Sequence, residues 1–418
     1  MNRSTSRGVS PSLPTETPET VGLSSGRLSL IDEHLQAAVD AKILPGAVAL
    51  VARHGKVAYF GSFGMIDIED DRPMRRDAVF RIASMTKPIV STAIMMLYED
   101  GRFRLSDPIS KYIPEFSGPK VLVSADGDHA GHEMESAGRE ITITDLLTHT
   151  SGIGYSMWSE ELRPIYRQAG VSDGLDNRGT TIAERMRILG GLPLANHPGS
   201  QFLYGLNADV LGYLVEIVSG DSLKKFLTER ILSPLIMADT HFHLPEQDVE
   251  RMPVLYSGLD AGQLRPYNQE MMEQIFPYSS PDYPNEGART YFSGGWGLSS
   301  TAADYFRFSQ MLLNGGELEG TRLLDTPTVE MMTASQIGPL NAWGEKFGFG
   351  FQVLKESTAE SLSASPGTYG WMGYWGTRFW IDPLKELIVI FMSQVKPSDY
   401  DSDVPRALAY EAMAELGG

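Results

Sequence analysis

The sequence predicts an α+β fold in which both ends of the chain supply an antiparallel sheet with flanking helices, and a mostly helical lobe is inserted between them. Strand patterns occur near the start of the chain, at 46–60, and again near its end, at 347–393. Between 102 and 290 strand patterns are scarce, and helical spacing of apolar residues is frequent. With 418 residues the chain is long enough for two or three domains, so it has room for such an insertion.

The first elements are predicted as a tail, a helix and a hairpin. Residues 1–22 are rich in Pro, Ser, Thr and Glu and lack an apolar run, so we expect a flexible tail without a secretion signal. Apolar residues at positions 28, 31, 35 and 39 then have helical spacing. The apolar runs 47–51 and 57–60 flank Arg53-His54-Gly55-Lys56, which is the pattern of a β-hairpin.

The middle of the chain is predicted to contain helices and two long loops. Thr142 and Asp145 form a capping-box pattern ahead of an apolar stretch, which indicates the start of a helix. The stretches 123–140 and 256–289 are irregular and rich in Gly, Pro and charged residues. We expect long loops there, of the kind that often act as lids or face a substrate.

The last part of the chain returns to strands and helices. A helix capped at Thr301 is predicted to end near Asn314. It is followed by predicted strands at 347–354, 369–381 and 386–393 and by a final helix at about 404–416. The predicted domains are therefore a tail at 1–22, a discontinuous sheet domain at 23–100 and 291–418, and a helical lobe at 101–290.

Composition excludes several classes of function. The 53 acidic and 35 basic residues give a net charge of −18, which repels nucleic acids and anionic lipid surfaces. The chain has no apolar run of about 18 residues, the length that spans a bilayer. It also has no cysteine, which excludes disulfides, thiolate metal sites and cysteine nucleophiles. We therefore expect a cytoplasmic protein that binds neither nucleic acid nor a membrane.

The most informative motif is Ser84-Met85-Thr86-Lys87, at the start of a predicted helix. Residues three apart share a helix face, so the Lys87 amine can reach the Ser84 hydroxyl and activate it as a nucleophile. The helix is apolar on nearly every side until Gly101, which indicates that it is buried. Burial lowers the pKa of an ammonium group from about 10.4 towards neutrality, and this would allow Lys87 to act as a base.

The same spacing of serine and lysine occurs at three other places, where the context argues against catalysis. The segment Ser117–Lys120 contains two helix breakers. The segment Ser393–Lys396 follows an apolar strand pattern and leads into Pro397. Ser222 is explained as the N-cap of a short helix whose lysines face solvent.

Three further segments accompany the Ser84 motif along the chain: Leu146–Gly152, Pro198-Gly199-Ser200 ahead of Tyr204, and Gly294–Thr301. In their order and co-occurrence they resemble the serine β-lactamase and penicillin-binding protein superfamily, and in particular its class C and family VIII carboxylesterase branch. The resemblance extends over most of the chain from about Leu28. It implies a β-lactamase/transpeptidase-like fold, a serine nucleophile and a covalent acyl-enzyme.

The resemblance also implies a role for Tyr204, which lies where members of the superfamily have a tyrosine that approaches the nucleophile. A phenol with a pKa near 10 is useful as a base only if cations lower that pKa, so Tyr204 and Lys87 are expected to titrate as a coupled pair. Which of the two accepts the proton stays open at this point. β-Lactamases and D,D-peptidases usually have an asparagine two residues after this tyrosine. This chain has Leu206 there, so it lacks a polar group for an amide substrate.

An active-site strand is expected at Trp371-Met372-Gly373. β-Lactamases usually have Lys-Thr-Gly at this place and family VIII carboxylesterases typically have Trp-Gly-Gly, so Met372 departs from both patterns. Without the lysine, no cation on this strand would pair with a β-lactam carboxylate, whereas tryptophan offers apolar area. Alternation along the strand predicts that Trp371 and Trp375 both line the pocket, and Trp375-Gly376-Thr377 is a rival position for the motif.

We therefore expect a cofactor-independent serine carboxylesterase that acts on small apolar esters. Ser84 attacks, Lys87 and Tyr204 transfer protons, and water releases the acyl group. The resemblance implies an oxyanion hole formed by the backbone N–H groups of Ser84 and Tyr374. The residues expected to contact the substrate are Leu206, Trp371, Met372, Gly373 and Trp375.

Three alternatives remain on the sequence alone. A β-lactamase or D,D-peptidase is favoured by the resemblance and disfavoured by Leu206 and Trp371. An acyltransferase or amide hydrolase would use the same Ser84, Lys87 and Tyr204, because an acyl-enzyme can pass its acyl group to any nucleophile that enters. A binding or sensor module would acylate once and stay acylated.

Overall fold

The computed structural model describes residues 12–123, 133–260, 263–286 and 289–415. Its strands are β1 (Gly46–Arg53), β2 (Lys56–Asp67), β3 (Arg72–Pro73), β4 (Phe80–Arg81), β5 (Lys120–Val123), β6 (Glu133–Ser136), β7 (Tyr256–Asp260), β8 (Gln263–Pro266), β9 (Ser299–Ser300), β10 (Glu317–Leu318), β11 (Thr321–Arg322), β12 (Lys346–Phe347), β13 (Gln352–Val353), β14 (Tyr369–Gly373), β15 (Thr377–Asp382) and β16 (Leu387–Ser393). Its α-helices are α1 (Ser25–Leu28), α2 (Leu30–Asp40), α3 (Thr86–Glu99), α4 (Ile143–Leu147), α5 (Leu162–Gln168), α6 (Ile182–Gly190), α7 (Asn207–Ser219), α8 (Leu223–Leu227), α9 (Gln269–Ile275), α10 (Ala302–Leu313), α11 (Thr326–Thr333), α12 (Glu356–Ser361) and α13 (Val404–Glu415).

The largest sheet is antiparallel and joins the two ends of the chain. Its strand order is β12-β13-β14-β15-β16-β1-β2-β3. Strand β1 pairs with β16 on one side and with β2 on the other, so Ala49 lies opposite both Phe391 and Gly61. The sheet therefore forms only when the N-terminal hairpin meets the C-terminal strands. This confirms the predicted α+β fold, with strands from both ends and a lobe between them.

Both faces of this sheet are covered, as the continuous apolar runs of its central strands indicate. Successive residues of β1 contribute to two different hydrophobic cores, because side chains alternate across a sheet. Val48 and Leu50 belong to the larger core, which continues into the helical lobe. Ala47 and Ala49 belong to the smaller core, which the terminal helices α2 and α13 cover. The lobe thus packs on the face opposite to the chain termini.

The segment before α1 lies against the sheet. The Val57 N–H donates to the Pro14 carbonyl, the Glu16 N–H donates to the Val57 carbonyl, and Val21 is buried. Residues 12–22 were predicted as part of a flexible tail. The pairing with β2 instead places this part of the tail at the edge of the fold, while residues 1–11 lie outside the described residues.

The lobe is mostly helical, with α4 to α9 between residues 143 and 275. The capping box predicted for α4 is present, since Thr142 and Asp145 exchange hydrogen bonds. The predicted long loop at 256–289 contains the antiparallel strand pair β7–β8, and the one at 123–140 contains β6, which pairs with β5 just before it. Their high charge and irregular composition hid this pairing in the sequence. Residues 124–132, 261–262 and 287–288 of these stretches lie outside the described residues.

Throughout the described part of the chain, the helices are too short or too polar to cross a bilayer.

Candidate active site

Ser84 lies where the sheet meets the lobe, in a 3₁₀ turn (Ala83–Met85) that leads directly into α3. We call this segment the Ser84 turn. Lys87 Nζ donates to Ser84 Oγ at 2.9 Å and to the Gly295 carbonyl at 2.9 Å. Both side chains are buried, and Lys87 is 1% exposed. Burial lowers the pKa of Lys87 to about 7, and the Asp209 carboxylate opposes that change. At neutral pH a large share of Lys87 is therefore uncharged and able to accept a proton from Ser84.

The backbone around the nucleophile is strained and tightly packed. Ala83 has φ +44°, in the left-handed region that residues with a Cβ rarely adopt. The end of β14 packs against the same segment, because a Cβ at Gly373 would lie 2.4 Å from the Ile82 carbonyl oxygen. A glycine is therefore required at 373. The backbone of Tyr374, which follows directly, is held beside the Ser84 turn.

Tyr204 lies next to Lys87, as the sequence predicted. Lys87 Nζ is 4.7 Å from the centroid of the Tyr204 ring, and Trp371 Nε1 donates to the Tyr204 hydroxyl at 3.3 Å. Burial raises the pKa of Tyr204 above its ordinary value, and hydrogen bonding with Ser84 and Trp371 only partly offsets this. The phenol is therefore protonated at neutral pH, so it can donate a proton but is a poor acceptor. This difference favours Lys87 as the base, a choice that the sequence left open.

His149 supports Tyr204 from within the lobe. Its ring centroid is 4.6 Å from that of Tyr204, and its Nδ1 accepts from the Asn207 side-chain amide at 2.9 Å. Ser151 Oγ in turn donates to the side-chain oxygen of Asn207, Oδ1, at 2.5 Å. Burial lowers the pKa of His149 well below its usual value, so the ring is neutral. These contacts give His149 a structural role beside Tyr204.

Two tryptophans that the sequence analysis did not single out form exposed walls beside Tyr204. Trp158 is 54% exposed and stacks on Tyr204 with a centroid distance of 5.9 Å. Trp343 is 61% exposed, lies 5.4 Å from the Tyr204 ring and stacks on Trp371 at 6.0 Å with an interplanar angle of 15°. Trp158 ends a short 3₁₀ helix (Ser156–Trp158) and Trp343 lies in a turn, both without a recognisable motif, so no sequence signal identifies them. They give the site an apolar, aromatic surface that faces solvent.

The predicted substrate-contacting residues divide into two groups. Trp371 and Gly373 lie at the site, through their contacts with Tyr204 and the Ser84 turn. Leu206, Met372 and Trp375 do not have the predicted positions. Strand β14 ends at Gly373, so alternation stops there; Trp375 is fully buried and donates from Nε1 to the Tyr283 hydroxyl at 2.5 Å.

Leu206 and Met372 also lie away from their predicted positions, and the reason is again the local secondary structure. Leu206 immediately precedes α7, and the helical turn places its side chain in the core with no exposed surface. Met372 alternates with Trp371 along β14, so it points to the opposite face of the sheet, where it is 37% exposed. Neither residue is therefore positioned to touch a group bound at Ser84.

Sequence reasoning also missed a buried carboxylate. Asp209 lies in the first turn of α7 and is fully buried, and Ser293 Oγ donates to its Oδ1 at 2.7 Å. Burial raises its pKa, while the Ser293 hydroxyl and Lys87 act in the opposite direction. The available signal was an aspartate in a helix whose neighbouring residues are almost all apolar. That pattern indicates a charge on a buried face, which is costly without a partner.

The chain is similar to known proteins over most of its length. Esterase EstB of Burkholderia gladioli is 34% identical over 376 residues, which cover 87% of this chain and 89% of EstB. Acyltransferase mokF of Monascus pilosus is 29% identical, over 78% of this chain and 76% of its own. Among solved structures, EstCE1, described as a hydrolase with promiscuous acyltransferase activity, has a TM-score of 0.79 at 26% identity and covers 93% of this chain and 98% of its own. Residues 31–412 match the family described as Beta-lactamase, so the resemblance inferred from the motifs is confirmed and the chain belongs to the Beta-lactamase family.

Proposed function

We propose that this protein is a serine carboxylesterase that cleaves small apolar esters through a covalent acyl-enzyme. One observation carries the proposal: a buried lysine with a lowered pKa donates a 2.9 Å hydrogen bond to the Ser84 hydroxyl. This is the arrangement of a nucleophile with its own base. The names of EstB and EstCE1 support hydrolysis of an ester as the reaction.

In the acylation step, uncharged Lys87 takes the proton of Ser84 as Oγ attacks the carbonyl carbon of the ester. The carbonyl oxygen becomes an oxyanion, which the N–H groups of Ser84 and Tyr374 would stabilise. When the intermediate collapses, the C–O bond to the alcohol breaks and the departing oxygen takes the phenolic proton of Tyr204. Lys87 then returns its extra proton to Tyr204, so both groups recover their starting states.

Deacylation repeats this sequence with water. Uncharged Lys87 removes a proton from a water molecule as its oxygen attacks the acyl carbon, and a second oxyanion forms. Collapse breaks the bond to Ser84 Oγ, which takes a proton from Lys87 by way of Tyr204. A carboxylic acid is released and Ser84 is regenerated.

The substrate class follows from the walls of the site. Trp158, Trp343 and Trp371 present indole rings around Tyr204, which favours an apolar acyl or alcohol group over a charged one. Strand β14 has Trp371 where a β-lactamase usually has a lysine, so it supplies no cation for a substrate carboxylate. Ser84 is only 5% exposed, which favours small groups at the reacting carbon.

The decisive test is steady-state hydrolysis of p-nitrophenyl acetate and butyrate by the wild type and by Ser84→Ala, with nitrocefin alongside. We expect rapid ester cleavage that the variant loses, and slow or no nitrocefin turnover. Ester cleavage that survives in Ser84→Ala would assign the nucleophile to another residue. Nitrocefin turnover above ester turnover would make the protein a β-lactamase instead.

Acyl transfer is the second candidate function. It is favoured by the names of two similar proteins, the acyltransferase mokF and EstCE1, a hydrolase with promiscuous acyltransferase activity. Product analysis in the presence of an added alcohol separates the two reactions. A new ester in excess of free acid would indicate a transferase, and free acid alone would indicate a hydrolase.

We also propose that the protein works in the cytoplasm on a small-molecule substrate and without a nucleic-acid or membrane partner. The net charge of −18 supports the second part, because it repels phosphate groups. Fractionation of producing cells, followed by the ester assay on each fraction, tests the location. Activity in a membrane or extracellular fraction would contradict it.

A further inference from the structure

We propose that Asp209 is a positioning residue of this active site, whose carboxylate stabilises the protonated form of Lys87 that arises when Ser84 attacks. The inference rests on the proposed function, because it requires Lys87 to act as the base. It adds a third buried group to the Ser84 and Lys87 pair. Nothing in the serine–lysine spacing predicts this group.

The Asp209 carboxylate and the Lys87 amine lie close together, and the Tyr155 hydroxyl lies in the same space, 3.1 Å from where a Cβ on Gly295 would be. A Cβ placed on Gly295 would lie 2.8 Å from Asp209 Oδ2 and 3.3 Å from Lys87 Nζ, so these two atoms are within about 6 Å of each other. Asp209 Oδ1 accepts from Ser293, and Oδ2 makes no further hydrogen bond among the described residues. The backbone N–H groups of Gly294 and Gly295 also lower the pKa of this carboxyl. Oδ2 shares the space beside Gly295 with Lys87 Nζ and the Tyr155 hydroxyl.

One short segment connects both groups. Lys87 Nζ donates to the Gly295 carbonyl, and the Gly295 N–H donates to Ser293 Oγ at 3.2 Å. Ser293 Oγ also accepts from the Trp296 N–H at 3.0 Å while it donates to Asp209. The segment 293–296 therefore fixes the carboxylate and the amine relative to each other. The absence of a side chain at Gly295 leaves room for the carboxylate, the amine and the Tyr155 hydroxyl to lie beside one another.

The charge balance of the attack explains why a carboxylate is needed. Before the attack Lys87 is uncharged, and afterwards it is an ammonium group in a buried site, where an unpaired charge is costly. Asp209 raises the pKa of Lys87 against the effect of burial, which means that it favours this ammonium. The other titratable groups around the pair are kept uncharged by burial: His149, Tyr155, Tyr204 and Tyr291. Asp209 is therefore the counter-charge at this place.

A purely structural role for Asp209 must be separated from this one. An acidic residue in the first turn of a helix is favourable in itself, because of the helix dipole. Asp304 provides a matched control in the same chain. It is 1% exposed, lies in the first turn of α10, has one carboxylate oxygen without a hydrogen-bond partner among the described residues, and its pKa is also raised. Its neighbours are Thr240 and Asp239, not Lys87.

The experiment compares the wild type with Asp209→Asn and Asp304→Asn. Each protein is treated with an alkyl fluorophosphonate, which forms a Ser84 Oγ–P bond and releases fluoride, and the rate of labelling is followed by intact mass between pH 5 and 9. For the wild type we expect the rate to rise with pH around a midpoint near 7. In Asp209→Asn the midpoint falls by about one unit or more, and the rate at high pH falls about tenfold or more. In Asp304→Asn the midpoint does not move.

An unchanged midpoint in Asp209→Asn would overturn the inference even if labelling were slower, because a structural role lowers the rate without moving the profile. If Asp209→Asn does not fold, Ser293→Ala decides the question. Loss of this donor raises the pKa of Asp209, so more of it is protonated and the midpoint should move down by a smaller amount. An unchanged midpoint there overturns the inference. A wild type that is not labelled at Ser84 would overturn the proposed function, and the inference with it.

Discussion

At the residue scale, the proposed mechanism depends on the charge state of Lys87. Burial lowers its pKa, and the hydrogen bonds to Ser84 and Gly295 hold the amine in place. The pKa of Tyr204 is raised, whereas that of Lys87 is lowered, because burial disfavours the charged phenolate just as it disfavours the charged ammonium. The same physical effect therefore produces a base and a proton donor from two neighbouring residues.

The first prediction concerns pH. As the pH falls through about 7, Lys87 becomes protonated and loses the ability to accept the Ser84 proton, so kcat/KM for p-nitrophenyl acetate should fall tenfold per unit below this point. At high pH we expect no decline up to about pH 10, because the raised pKa of Tyr204 keeps its proton in place. Rates measured from pH 5 to 10, corrected for spontaneous hydrolysis, test both the fall at low pH and the absence of a decline at high pH. A decline that begins near pH 8 would contradict the assignment of the proton donor.

The residues of the site differ in how far the sequence could predict them. Ser84 and Lys87 follow from spacing on one apolar helix, and Tyr204 follows from resemblance. Asp209 lies 122 positions after Lys87, and only the folded chain brings them together. The direction of proton transfer also depends on burial, which spacing alone does not give.

At the element scale, two short segments shape the entrance to the site: the 3₁₀ helix that ends at Trp158 and the turn that contains Trp343. The loop with Trp343 has a tight turn in which Ala342 and Glu345 exchange backbone hydrogen bonds, and Trp343 itself has φ +52°. A bulky residue in this conformation is costly, and such strain is typical of functional positions. The backbone cost is consistent with a role for this indole in substrate binding.

The second prediction tests the tryptophans of these two segments. Trp158→Ala and Trp343→Ala should each raise KM for p-nitrophenyl butyrate about twofold to tenfold with little change in kcat, because an aromatic contact contributes about 0.5–1.5 kcal/mol beyond its buried area. Leu384→Ala is the matched control, since Leu384 is 74% exposed in the turn between β15 and β16. Equal KM values in all three variants would show that the indoles do not contact the substrate.

The third prediction concerns the end of β14. In Gly373→Ala the new methyl group would lie 2.4 Å from the Ile82 carbonyl oxygen and 2.1 Å from Thr377 Oγ1, so the strand must move away from the Ser84 turn. Displacing the Tyr374 N–H should lower kcat about 10²–10³-fold, the usual cost of one lost oxyanion donor. Gly138→Ala is the control, because a Cβ at Gly138 meets no atom within 4 Å. Near wild-type kcat in Gly373→Ala would exclude Tyr374 from the oxyanion hole.

The element scale also shows where pattern reasoning succeeds and where it stops. Period-two alternation along β14 places Trp371 and Met372 on opposite faces, although the sequence predicts that both contact the substrate. It fails for Trp375, because the strand ends at Gly373 and a turn follows. Ser222, interpreted as an N-cap, accepts the Lys225 N–H at 3.2 Å, so that interpretation is confirmed. In these two cases, the rule for helix N-caps predicted the structure correctly, whereas side-chain alternation failed where it was extended beyond the end of a strand.

At the scale of the whole molecule, the site draws on three separate parts of the chain. Ser84 and Lys87 come from the N-terminal part, Tyr204 and Asp209 from the lobe, and Trp371 from the C-terminal strands. The sequence predicted this order of segments but not how they share a core. The larger hydrophobic core contains β1 and β15 residues such as Leu50 and Phe379, together with lobe residues such as Val210.

The last prediction follows from this shared core. Because apolar side chains of the sheet and the lobe bury each other, neither part retains its buried area when the other unfolds, and we expect one cooperative transition in urea. Circular dichroism, tryptophan fluorescence and ester hydrolysis should then change with the same midpoint. Leu50→Ala removes core volume on the sheet side, about 150 residues before the lobe helix α7. It should lower all three midpoints together, because it lowers the free energy of unfolding by about 2–5 kcal/mol. If activity were lost at a lower urea concentration than the β-sheet signal, the lobe would be a separate folding unit, and the predicted boundary at 101–290 would mark an independent domain.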